Sequence, residues 1–208
     1  MMAGVVATPF VLYTDIVFSS LVALCAAIFI VCVELLHKHW DIGLPYWAAQ
    51  LKNTRRETET FSWASITFLV TLFVLAWTVP IPVALAAASM LALGDGMSAL
   101  VGRSIGRHKI WYNRKKSWEG TIAGLLCGFL GAILLMQWYA IDTGSDYPIV
   151  TIAVVCLLGA AFAMLGESLP HLQDNVVVPI FAAVPMTIAW MFLGLDPRWG
   201  LLPLRLLG

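Results

Sequence analysis

Six predominantly apolar stretches, separated by short polar segments, divide this chain. They run from about Phe10 to Leu36, Phe61 to Val79, Ile81 to Val101, Trp118 to Tyr139, Pro148 to Leu169 and Val176 to Leu195. Each approaches the roughly 20 apolar residues that a helix needs to cross the hydrocarbon of a bilayer. Pro80 and Pro82 divide what would otherwise be one overlong run, because proline ends or kinks a helix. They predict a tight hairpin between the second and third spans. The pattern predicts an all-α fold, a polytopic membrane helix bundle of about six transmembrane helices. It forms a single integral-membrane domain over residues 1–208.

The polar segments differ sharply in charge. The segment from His37 to Thr60 carries Lys38, Lys52, Arg55 and Arg56. The segment from Gly102 to Ser117 carries Arg103, Arg107, Lys109, Arg114, Lys115 and Lys116, whereas the connection holding Asp142 and Asp146 has no cation. Lys and Arg concentrate on the cytoplasmic side of membrane proteins, so both basic segments are expected there and the N-terminus outside. Arg198 and Arg205 in the tail run against this trend. With that topology Asp95, Ser117, Glu119, Glu167, Asp174 and Asn175 gather near the cytoplasmic membrane face, with Glu57 and Glu59 in the first basic segment. Asp142 and Asp146 remain as solvated loop residues on the other side.

Composition agrees with the membrane reading. Hydrophobic residues make up 61% of the 208 residues and charged ones 12%, and the mean hydropathy is +0.88. A soluble domain carries about a quarter charged residues, so this chain has too few to cover a water-facing surface. The formal net charge of zero conceals the segregation just described. Cys25, Cys32, Cys127 and Cys156 all lie in apolar runs and form no C-x-x-C pair, which excludes a disulfide framework or zinc site of the usual spacing. No Lys or Arg precedes the first apolar run, which is too long for a signal-peptide core. A retained span is expected there.

Against this background Asp95 is conspicuous. It interrupts an apolar run, where an ionisable group is expensive and points to function. Gly94 and Gly96 flank it and permit close approach of another backbone or a phosphate. Beyond it, Gly102 and Gly106 bracket Arg103 and precede Arg107, His108 and Lys109. Such a glycine-rich turn exposes backbone N–H groups to phosphate oxygens while Arg supplies bidentate contacts. The spacing matches neither the G-x-x-x-x-G-K-[ST] loop nor G-x-G-x-x-G, so no soluble nucleotide fold is implied. In Lys115-Lys116-Ser117-Trp118-Glu119-Gly120, Ser117 is the expected N-cap of the fourth span, leaving a helix N-terminus and two lysines to face an anion. Glu119 either caps that helix, binds Mg²⁺ or pairs with a lysine. Gly120, Gly124 and Gly128 recur every four residues, a spacing that lets membrane helices pack closely. Asp174-Asn175 suits either a metal ligand set or a turn, and Pro179 is expected in the first turn of the sixth span. A buried carboxylate beside glycine-spaced cations suits a metal-bound polyphosphate at the membrane surface.

Three blocks, G-D-G-M-S-A-L-V-G-R-S-I-G, K-K-S-W-E-G-T-I-A-G and E-S-L-P-H-L-Q-D-N-V-V-V-P, together resemble the CTP-dependent polyprenol kinase family. That group includes dolichol kinase, phytol kinase and the CTP-dependent diacylglycerol kinase. The similarity runs over a core of about residues 55–180. It implies a multi-pass enzyme that transfers the γ-phosphoryl group of CTP to a lipid alcohol with Mg²⁺ or another divalent cation. The matching positions are Gly94, Asp95, Gly102, Arg103, Gly106, Lys116, Ser117, Glu119, Gly120, Glu167, Asp174 and Asn175. On this resemblance the catalytic set is Asp95, Lys116 and Glu119, and the metal ligands are Asp95 and Asp174. Nucleotide and phosphate binding falls to Gly94, Gly102, Arg103, Gly106, Lys115, Ser117, Gly120 and Asn175. Two departures stand out. No R-K-x-x-H segment precedes the first block, and Gln173 stands where family members often carry a second acid. A CDP-lipid synthase is the nearest alternative, but its H-G-G-x-x-D-R-x-D signature is not found in the sequence. A transporter or complex subunit ranks lower because the spans show no evident inverted repeat.

Overall fold

The computed structural model describes residues 63–170 and 173–195, with five helical positions upstream at 25, 28, 29, 31 and 32. Most of the first predicted span, the basic segment from His37 to Thr60 with Glu57 and Glu59, His171, and the tail with Arg198 and Arg205 lie outside the described residues.

Helix α1 (Trp63–Thr78) leads into α2 (Ile81–Ser104) through the expected proline hairpin. Pro80 occupies the N-cap position of α2 and Pro82 its first turn, where a missing N–H is tolerated. Three further helices follow: α3 (Trp118–Thr143), α4 (Ile149–Ser168) and α5 (Asp174–Phe192). Among the described residues these last three and α2 are long and apolar enough to cross a membrane, while the apolar part of α1, Ile66–Thr78, is shorter. The chain is therefore a polytopic membrane helix bundle. Its outer surface confirms the solvent it is built for: Leu126, Leu130, Leu134, Ile141, Val150, Leu157 and Leu165 all point outward.

The basic segment between α2 and α3 departs from the purely helical expectation. Strands β1 (Lys109–Ile110) and β2 (Asn113–Ser117) pair antiparallel, with Lys109 opposite Ser117 and Ile110 opposite Asn113. The sequence of β2 is Asn-Arg-Lys-Lys-Ser, without the apolar alternation that marks a half-buried strand. Its one apolar anchor lies across the ladder, where Ile110 is buried.

The other end of α3 closes on Gly144, whose φ of 63° is the left-handed cap that glycine adopts without strain. Helix α5 begins at Asp174, two residues before its predicted start, so Pro179 lies in the second turn and not the first. Pro185 is also interior. Membrane helices tolerate such prolines because their neighbours satisfy the disturbed backbone.

Small residues decide how the helices meet. Gly94, Ser98 and Gly102 of α2 face Gly120, Gly124 and Gly128 of α3 along an antiparallel seam. A Cβ on Gly120 would stand 2.7 Å from the Ser98 carbonyl oxygen and 3.1 Å from Gly102 Cα. One on Gly124 would stand 2.8 Å from the Gly94 carbonyl oxygen and 2.6 Å from Met164 Sδ. Without a hydrophobic driving force between helices in lipid, such close van der Waals packing is what holds them together. The rest of the core is likewise compact, with Val83, Ala86, Ala87, Met90, Ala132, Met136, Ala160, Ala183 and Trp190 buried in one cluster.

Candidate active site at the basic end of the bundle

Chain connectivity brings four helix ends to one side. The hairpin joins the end of α2 to the start of α3, and a short turn joins the end of α4 to the start of α5. The basic residues of the hairpin and the acids of α2, α4 and α5 therefore share one end of the bundle. Asp142 and Asp146 sit at the other, where α3 passes into α4.

Lys116 is the centre of this end. Its Nζ lies 2.6 Å from Glu167 Oε1, 3.1 Å from Asp174 Oδ2 and 3.9 Å from Asp95 Oδ1. Four elements are thus tied by one ammonium: β2, α2, α4 and α5. Glu167 is fully buried, and its Oε1 also accepts a 2.7 Å hydrogen bond from Ser98 Oγ. Its Oε2 is buried and has no hydrogen-bond partner among the described residues. Burial opposes the charge on Lys116, yet Glu167, followed by Asp174 and Asp95, outweighs it, and the Lys116 pKa rises above its ordinary 10.5. The ammonium stays charged at any physiological pH.

The π-helical turn Met90–Asp95 lies within α2 and has Asp95 as its last residue. Such turns rotate the following residues relative to a regular helix and recur at functional sites. Here the turn ends on the residue that faces Lys116.

The hairpin is pinned to the end of α4. Asn113 Nδ2 donates to the Ser168 carbonyl oxygen at 3.0 Å, and Tyr112 OH lies 2.7 Å from Ser168 Oγ. Ser168 Oγ already donates to the Leu165 carbonyl oxygen, which leaves Tyr112 as the donor in the second bond. Ser117 caps α3 as expected, its Oγ accepting from the Gly120 N–H at 3.2 Å.

Glu119 stands apart from the carboxylates around Lys116. Its Oε1 accepts from the backbone N–H groups of Arg107 at 3.2 Å and His108 at 3.0 Å, and lies 2.6 Å from His108 Nδ1. Its partners are those of the chain leaving α2, and among the described residues it makes no ion pair with a lysine. Arg103, Arg107, Lys109, Arg114 and Lys115 are exposed around it, and none of the five pairs with a carboxylate among the described residues.

The glycines of the sequence motifs divide by role. Gly94, Gly102 and Gly120 are seam residues, as above. At Gly106 a Cβ would collide with the Gly102 carbonyl oxygen and with the Ser117 side chain. Gly96 meets no atom within 4 Å among the described residues. Asn175 occupies the second position of α5, next to Asp174.

Glu167 is the residue that the candidate catalytic and metal sets omitted. The signal that identifies Asp95, an acid within an apolar run, applies equally to A-M-L-G-E-S. Ser98 and Tyr112 carry no comparable sequence signal.

Among the described residues no group of three or more His, Cys, Asp or Glu is arranged to hold a metal ion, since Lys116 occupies the centre of the acids. Mg²⁺ seldom needs such a cage. It is commonly held by one or two carboxylates together with substrate phosphates. Asp95 and Asp174, both partly exposed beside Lys116, fit an ion brought in that way.

Residues 1–169 match the model of the cytidylyltransferase family. A probable chloroplastic phytol kinase 2 of Oryza sativa subsp. japonica is 36% identical over 119 residues, 56% of this chain and 38% of the relative. A probable chloroplastic phytol kinase 3 of Glycine max is 39% identical over 102 residues, 48% of this chain and 32% of the relative. The chloroplastic farnesol kinase of Arabidopsis thaliana is 33% identical over 111 residues, 50% of this chain and 34% of the relative. The matched part of the chain spans 38% or less of the length of these three relatives. No solved structure matches it. The chain belongs to the cytidylyltransferase family.

Proposed function

We propose that this member of the family is a lipid-alcohol kinase, transferring the γ-phosphoryl group of CTP to an isoprenoid alcohol at the cytoplasmic membrane face. The observation that carries the reading is the convergence of Asp95, Glu167 and Asp174 on Lys116 beside five exposed cations that pair with no carboxylate among the described residues. The names of the phytol and farnesol kinase relatives supply the substrate class.

Phosphoryl transfer asks a protein mainly for positioning and charge stabilisation. The acceptor hydroxyl oxygen forms a bond to the γ-phosphorus as the bond to the β-phosphate oxygen breaks, and CDP leaves. Asp95 takes the hydroxyl proton. Its side chain is partly exposed, whereas Glu167 is sealed, so Asp95 is the acid within reach of a substrate. Lys116 holds the three carboxylates at fixed positions and offsets their repulsion toward an incoming triphosphate. Arg103, Arg107 and Lys115 engage phosphate oxygens from the exposed side. Asp174, with Asp95, would hold Mg²⁺, which supplies neutralisation of phosphate charge when bound. The alkyl chain stays in the bilayer, and its hydroxyl reaches Asp95 from the hydrocarbon side.

Incubation of the purified protein with γ-labelled or α-labelled CTP and phytol or farnesol tests the reading. Label from the γ position alone entering lipid supports the kinase. Label from the α position, with a lipid phosphate as acceptor, indicates cytidylyl transfer, the reaction in the family's name. Absence of label from both positions in any lipid sinks both.

A further inference from the structure

The segment that leaves α2 is held on three sides. Gly106 packs against Gly102 and Ser117 with no room for a side chain. The His108 carbonyl oxygen accepts from the Trp118 N–H at 3.0 Å. From the first turn of α3, Glu119 takes the Arg107 and His108 N–H groups and the His108 ring nitrogen on one carboxylate. These bonds join residues 11 and 12 apart in sequence and close the base of the hairpin.

Those restraints fall on backbone and leave the cationic side chains outward. Arg103 precedes the pinned segment, Arg107 and Lys109 lie within it, and all three are exposed. Each flexible Lys or Arg side chain already loses rotamer freedom when it binds. A mobile backbone would add to that loss, so a preformed segment raises affinity for a polyanion.

We infer that Glu119 is a positioning residue for the triphosphate: it shapes the Ile105–Lys109 segment so that Arg103, Arg107 and Lys109 grip phosphate oxygens together. It neither ligates a metal nor takes part in the chemistry. This rests on the lipid-kinase reading for the identity of the nucleotide, but the grip on a triphosphate does not depend on which group is transferred. Its carboxylate oxygens are engaged with the segment, and the acids around Lys116 are a separate group. A metal-ligand role would require those bonds to be given up.

The test compares wild type with Glu119→Gln and Glu119→Ala in the full chain, purified in detergent. Binding of CTP and of inorganic tripolyphosphate is measured directly, together with hydrogen exchange and kinetics. Expected are faster exchange at the Arg107 and His108 amides and a rise in Kd for both anions of about tenfold, the equivalent of 1.4 kcal/mol. The KM for CTP rises in step, kcat and the KM for the lipid alcohol hold, and Glu119→Gln is milder than Glu119→Ala because its amide oxygen still accepts. Unchanged affinity for both anions, or a fall in kcat at unchanged affinity, overturns the inference. So does a wild type that binds neither anion. Should wild type bind tripolyphosphate but phosphorylate no lipid, the kinase reading fails by itself, and the Kd values still decide the role of Glu119.

Discussion

Lys116 Nζ and Glu167 Oε1 lie 2.6 Å apart, joining strand β2 to a fully buried carboxylate at the end of α4. This contact unites the outer hairpin with the helix bundle. Glu167 has no other cation among the described residues, so its burial depends on Lys116.

Removing one member of a buried pair strands the other, at a cost of about 3–5 kcal/mol, whereas removing both together is often tolerated. Lys116→Met is therefore expected to lower the thermal midpoint strongly. The double variant Lys116→Met/Glu167→Gln should recover most of that loss in detergent melts and remain inactive. The Lys116 pKa is raised on folding, so the stability it contributes is complete below its unfolded value near 10.5 and is lost as pH climbs through the higher folded value. The stability difference between wild type and Lys116→Met should stay flat from pH 6 to about 9. A difference that shrank between those limits would contradict the pairing.

Asp95→Asn keeps the size of the side chain and removes the acceptor for the hydroxyl proton. Loss of a general base typically costs about 10²–10⁴-fold in rate. Transfer from γ-labelled CTP should fall by at least that order while elution from a sizing column changes little. Wild-type turnover in this variant would remove Asp95 from the chemistry.

The seam between α2 and α3 predicts opposite outcomes at two glycines. Gly124→Ala places a Cβ against Met164 Sδ and the Gly94 carbonyl oxygen, an overpacking of the kind that costs about 1–3 kcal/mol. Gly96 has helical φ and ψ of −58° and −47° and no atom in the way among the described residues. Gly96→Ala should leave the midpoint unchanged or raise it, because glycine within a helix is about 0.8–1 kcal/mol less favourable than alanine. Melting curves of the two variants side by side decide the matter.

Tyr112 and Asn113 anchor the hairpin to Ser168. Each bond contributes on the order of 1 kcal/mol net. Tyr112→Phe/Asn113→Ala should loosen the hairpin without unfolding the bundle, and brief trypsin treatment should cut faster after the exposed Arg114 and Lys115. Equal cutting rates in wild type and variant would show that Ser168 does not hold the hairpin.

The helices were legible in the sequence because a bilayer demands long apolar runs, and Pro80, Pro82 and the Ser117 cap punctuated them. The residue-by-residue roles were less so. Glycine spacing announces close approach, but not whether a phosphate or another helix is what approaches. For Gly94, Gly102 and Gly120 the structure shows a neighbouring helix. The Asn113–Ser117 strand went unseen because polar strands carry no hydrophobic period. Glu119 was a plausible metal ligand by type, and its capture by Arg107 and His108 depends on how the chain folds back.

What the sequence determined by itself was the class of solvent, the four described helices long and apolar enough to cross it, and the end of the bundle where charge collects. These follow from local composition and from hydrophobic run length, which a linear reading captures. Only the tertiary structure decided that Glu167 shares Lys116 with Asp95 and Asp174, residues from 21 to 58 positions away from that lysine. Such a meeting is set by helix packing and side-chain direction across four elements, and no spacing along the chain encodes it.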